Sequence, residues 1–204
     1  MKVNTLKVFT VALLCVFLVS AAGCKKKHLR TFGKVLAIGI AAKIIYDMVV
    51  DYRSKQTQND NQVVNKYKNQ FNELPPEPEL INYESNLLPG SVINPGEAVS
   101  IRSSLEVVRG QTQEAVSIQE KITIYDNEDP NKVLKSLIKT VNQETNRCGA
   151  FENEFTFTLP KGMPQGIYPV KTTVIIDGKE QKPVENKMQL VSIGLEKGLM
   201  LAVN

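Results

Sequence analysis

The sequence predicts a mainly β protein, a single antiparallel β-sandwich of about seven strands preceded by an N-terminal helix and a linker. Two observations carry this expectation. From residue 80 onward apolar residues recur with period two, the pattern of a strand with one face to a core and one to water. Between those runs stand NPGE, RGQTQE, DNEDPN, LPKGMPQG and DGKE, each holding the Gly, Pro, Asn or Asp that a turn needs.

The strands follow in order. The first is expected near residues 80–88. Val99, Ile101, Ser103, Leu105 and Val107 then alternate with Ser100, Arg102, Ser104 and Glu106. Val116, Ile118, Ile122 and Ile124 form the next apolar face, interrupted by Glu120, which reads as a bulge or strand-edge residue rather than a buried acid. Less regular strands are expected near 133–141 and 185–193. Phe155, Phe157 and Leu159 alternate with Glu154, Thr156 and Thr158, and Tyr168, Val170, Thr172, Val174 and Ile176 with Lys171 and Thr173.

The run LPKGMPQGIYPVKTTVIIDGK resembles the approach to strand F in immunoglobulin-like and macroglobulin-like domains. The resemblance implies that Tyr168 closes a corner by hydrogen bonding back to the chain, and that Val170 stands where antibody domains place their second cysteine. Pro169 departs from the pattern. It lacks a ladder donor, which places the start of this strand at an edge or a bulge.

The N-terminus has a different build. Lys2 and Lys7 precede the apolar run Val8 to Val19, followed by small residues Ser20 to Gly23, which together make an export signal over residues 1–23. SAAGC resembles the lipobox of bacterial lipoproteins, with Ala21 where Leu is commonest. The resemblance implies that Cys24 receives a diacylglycerol and begins the mature chain. Its covalent lipid would be the only attached group, with no cofactor. The alternative is an uncleaved anchor in which Cys24 is a bystander.

Charge supports a membrane address. Residues 24–79 carry ten Lys or Arg against six Asp or Glu, whereas residues 80–204 carry thirteen against fifteen. Lys25, Lys26, Lys27, Arg30 and Lys34 crowd beside Cys24, where each adds roughly 1 kcal/mol of attraction to an anionic leaflet. An exported chain meets no nucleic acid, so these are membrane-contact residues. Under the common Gram-negative sorting rule, Lys25 instead of Asp after the lipidated cysteine directs a lipoprotein to the outer membrane, facing the periplasm.

Residues 24–53 are expected to hold the lipid, the basic patch and an amphipathic helix, because Lys43, Asp47 and Asp51 recur at four-residue spacing. Residues 54–79 read as a polar linker with a proline cluster at Pro75, Pro76 and Pro78, in which Val63, Val64, Tyr67 and Phe71 have the spacing of a short helix. Its expected effect is to hold a sandwich of residues 80–193 away from the membrane. Residues 194–204 form a C-terminal tail.

No reactive constellation is legible. The only histidine, His28, lies in the basic patch, which excludes Ser/His/Asp and Cys/His chemistry in the domain and every multi-histidine metal site. Glu152 and Glu154 share a strand face and read as solvated; a carboxylate-dependent hydrolase would need them as a pair. Asp126, Glu128 and Asp129 read as a turn rather than an ion site, so no metal is expected. Cys148 reads as a small buried hydrophobe at a strand start, the alternatives being an intermolecular bridge or a redox handle. The expectation is a non-enzyme: a lipid-anchored envelope lipoprotein acting as a structural or adaptor module that binds an envelope protein. A cell-wall or small-ligand-binding lipoprotein is the alternative.

Overall fold

A computed structural model describes residue 45 and residues 47–191. The expected lipid site Cys24, the basic residues Lys25, Lys26, Lys27, Arg30 and Lys34, nearly all of the expected helix before residue 47, and the tail 194–204 lie outside the described residues.

The chain is mainly β and folds as an Ig-like sandwich of two sheets. Its elements are β1 (Val50–Gln58), α1 (Asp60–Phe71), β2 (Glu79–Leu88), β3 (Val92–Ile93), β4 (Ala98–Val108), β5 (Ile118–Tyr125), β6 (Val133–Thr140), β7 (Gly149–Thr158), β8 (Gly166–Ile176), β9 (Lys179–Glu180) and β10 (Val184–Leu190). One sheet has the order β1-β7-β4-β2 and the other β3-β10-β8-β5-β6, with β9 paired to β8. All pairings are antiparallel except the short β3–β10 contact, which is parallel. The seven expected strands are β2, β4, β5, β6, β7, β8 and β10.

β1 corrects the end of the expected helix, residues 50–53, and the start of the linker that follows it. Val50 and Tyr52 pack against the core while Asp51, Arg53 and Lys55 face water. Period two therefore governs this segment, and pairing with β7 from Val50↔Phe157 to Gln58↔Ala150 outweighs the four-residue charge stripe that suggested a helix. The Tyr52 and Phe155 rings meet with centroids 4.7 Å apart. The sandwich thus includes residues 50–58, ahead of the expected 80–193.

The rest of the expected linker is also part of the domain. α1 has the predicted apolar spacing and a reciprocal cap: Asn59 Oδ1 accepts from Gln62 N at 3.0 Å, and Gln62 Oε1 accepts from Asn59 N at 2.9 Å. Val63, Val64 and Tyr67 pack with Leu74, Val108 and Ala150, laying the helix over one end of the β1-β7-β4-β2 sheet. The proline segment is pinned rather than free. Gln111 donates its side-chain amide to Leu74 O at 2.9 Å and its backbone N–H to Pro75 O at 3.0 Å. Gly110 makes this approach possible, since a Cβ there would lie 2.8 Å from Pro76 O.

Between the sheets lie two apolar clusters. One gathers Ile101, Ile122, Ile124, Phe155, Tyr168, Val170 and Met188. The other holds Leu105, Val107, Ile118, Phe151, Val174 and Cys148. Polar side chains separate them.

Candidate functional site

Glu120 stands at the centre of that polar layer. It is fully buried within β5, flanked by β6 and β8, so it is neither a bulge nor an edge residue as its position in the sequence suggested. Burial is tolerated because three donors from the opposite sheet meet its carboxyl. Tyr83 Oη donates to Oε1 at 2.7 Å, and Ser103 Oγ and Asn153 Nδ2 donate to Oε2 at 3.0 and 2.8 Å. Desolvation nevertheless raises its pKa, with the three hydrogen bonds acting in the opposite sense. The Tyr52 and Tyr83 hydroxyls are also pushed up, first by burial and then by the Glu120 charge, so both stay protonated.

The layer follows strand register. Ser85, Ser103, Asn153 and Ser54 are successive partners across β2, β4, β7 and β1. On the facing sheet Lys139 of β6 is the partner of Glu120. Ser54, Tyr52 and Lys139 reach a cleft of about 830 Å³ between the β1 and β6 edges.

The outer face of the β1-β7-β4-β2 sheet carries a second feature, an open groove of about 650 Å³. Arg53, Glu154 and Arg102 occupy one row across it, and Lys55, Glu152, Ser104 and Glu84 the next. Arg102 Nε donates to Glu154 Oε1 at 3.0 Å. Hydrogen bonds from Ser100 and Arg102 hold the Glu154 carboxyl below its usual range. Glu152 is exposed, and its nearest register partners are Lys55 and Ser104. Sequence reasoning found the two glutamates but not the groove, whose walls come from residues far apart in the chain.

The remaining expected residues have structural partners. Tyr168 is fully buried and donates to Pro164 O at 2.8 Å, the backward corner bond that the resemblance implied. Burial, followed by the Asp126 and Glu128 charges, pushes its hydroxyl up to about 12. Pro169 falls one residue outside the β5 register, which ends at Val170, so its missing N–H interrupts no bond on that side. Asp126 Oδ1 accepts from Glu128 N at 2.8 Å, and Lys132 Nζ lies 3.5 Å from Oδ2, so this buried acid organises the β5–β6 turn. Among the described residues, no group of three or more His, Cys, Asp or Glu is placed to hold a metal ion. Cys148 is buried beside the start of β7, and burial pushes its thiol up to about 12. No helix among the described residues is long and apolar enough to cross a membrane.

The fold and its corner define an Ig-like β-sandwich. No family model matches the chain, and no curated protein matches it either. Among solved structures it is similar to the CARDB domain of the PF1109 protein from Pyrococcus furiosus, at 12% identity over 57% of this chain and 96% of that chain, with a TM-score of 0.35. It is also similar to Spo0M, a sporulation control protein from Bacillus subtilis, at 17% identity over 54% of this chain and 49% of that chain, with a TM-score of 0.33. A family 123 glycoside hydrolase from Clostridium perfringens matches at 8% identity over 71% of this chain and 28% of that chain, with a TM-score of 0.33. No activity, ligand or partner of this chain follows from these likenesses.

Proposed function

We propose that this protein is a membrane-anchored envelope lipoprotein and a non-catalytic adaptor. The lipid on Cys24 and the basic residues Lys25, Lys26, Lys27, Arg30 and Lys34 hold it to the membrane, in the outer membrane facing the periplasm. The sandwich docks an envelope protein. The observation that carries the docking part is the open outer face of the β1-β7-β4-β2 sheet, where Arg53, Lys55, Arg102, Glu84, Glu152 and Glu154 set both signs of charge around a groove. Such a face gives a partner its orientation more than its affinity. Glu154 is committed to Arg102, which favours this reading over a glycosidase-like carboxylate pair.

Two measurements on the native cell test the reading. The intact mass of the detergent-extracted protein, taken after separation of inner and outer membranes, should correspond to a chain beginning at Cys24 with about three acyl chains. An unmodified full-length chain would overturn the anchor. A photo-crosslinker at Lys55 should then give one stoichiometric envelope adduct that is lost on Arg53→Glu with Arg102→Glu. An adduct from Lys187 on the other sheet, with none from Lys55, would overturn the assigned face.

A further inference from the structure

The layer between the sheets contains more hydrogen-bonding atoms than it pairs. Beyond the three bonds to Glu120, four oxygens are sealed from solvent: Asn153 Oδ1 and Ser85 Oγ have no partner, and Thr172 Oγ1 and Tyr52 Oη make no bond of good geometry, each having one neighbouring hydroxyl, that of Tyr83 and of Ser54 respectively. Thr172 is wholly buried, and Ser85 and Asn153 are 5% and 3% exposed. Each unpaired buried group of this kind costs about 1–3 kcal/mol. Several such groups in one layer would be a large burden for a domain of this size.

We propose that the Glu120 layer is a buried water-binding site. Its chemistry suits water better than a larger ligand. Asn153 Oδ1 can only accept, whereas the Thr172, Ser85 and Tyr52 hydroxyls both donate and accept, and a buried water molecule needs that mixture from two to four partners. The apolar clusters on both sides exclude solvent. The route in is the cleft between β1 and β6, because Ser54 and Lys139, the register partners of Asn153 and Glu120, stand at its wall beside Tyr52. This inference is independent of the proposed adaptor role.

Oxygen-17 relaxation dispersion on the purified full chain counts water held in the interior, and Thr172→Val and Ser85→Ala each remove one hydroxyl from the layer. The dispersion decides the matter. A hydrated layer loses the amplitude of about one water molecule in at least one variant, accompanied by a lower Tm. Amplitude unchanged from the wild type in both variants overturns the proposal. In that case Thr172→Val should melt higher, as a dry core does when an unpaired hydroxyl becomes a methyl. Should Thr172→Val fail to fold, Ser85→Ala gives the same comparison at the edge of the layer.

Discussion

The side-chain amide of Asn153 donates to Glu120 Oε2 at 2.8 Å, and this bond ties the inner faces of the two sheets together at the boundary between their apolar clusters. Its energetic weight lies in what its loss would leave behind. A buried donor without an acceptor costs more than a paired one contributes.

Glu120→Ala should therefore destabilise the domain by about 3 kcal/mol, because Tyr83, Ser103 and Asn153 would all lose their acceptor. Glu120→Gln should cost less than about 1.5 kcal/mol, since the Asn153 amide can turn to present Oδ1 to the new donor. Urea denaturation at constant pH compares the two. Equal losses would contradict the account.

Stability should also depend on pH through this carboxyl. The titratable groups facing it are Tyr52 of β1, Tyr83 of β2 and Lys139 of β6; β4, β7 and β8 contribute only Ser103, Asn153 and Thr172. Its folded pKa is raised, so the native chain keeps a proton that the unfolded chain releases first. The stabilisation is fully present below the unfolded carboxylate pKa and declines as pH rises towards the native value. Unfolding free energies across this window should fall for the wild type and lose that component in Glu120→Gln.

Tyr168→Phe removes the corner bond to Pro164 and leaves the ring packing intact. A loss of about 1 kcal/mol is expected, read as a lower midpoint in urea with an unchanged slope. A changed slope would mean that the substitution alters more than the corner.

Gly110→Ala should cost about 2 kcal/mol, because the added Cβ would meet backbone atoms of Pro76 and Glu77 that have little room to move. Hydrogen exchange should quicken at Gln111, whose N–H is bonded to Pro75 O, while the centre of β8 keeps its protection.

Cys148 should resist maleimide in the native protein and react once the chain unfolds, since its thiol is buried and held neutral. Rapid native labelling would revive the redox reading.

The sandwich was legible because four of its strands repeat apolar residues at period two and end at strong turn residues. β1 was not. In VDYRSKQTQ only Val50 and Tyr52 are apolar on the inward side, so pairing with β7 supplies what local pattern lacks. The polar layer was half legible. Ser103, Glu120 and Thr172 each occupy an inward place in an otherwise apolar alternation, yet one such residue per strand looks like an irregularity. Only the strand register brings them together, and register is a tertiary property. The outer groove was hidden for the same reason, since its rows join residue 53 to residues 102 and 154, and residue 55 to residues 84, 104 and 152.

β1 also has a protective role. Without it β7, with Phe151, Phe155 and Phe157 along one face, would end the sheet and leave its outward backbone groups free to recruit a strand from a neighbouring molecule. The strand that takes the rim instead is short of apolar residues and carries Arg53 and Lys55, side chains that discourage such recruitment. A chain shortened to begin at residue 80 would lose this guard, and its characteristic failure would be self-association through β7.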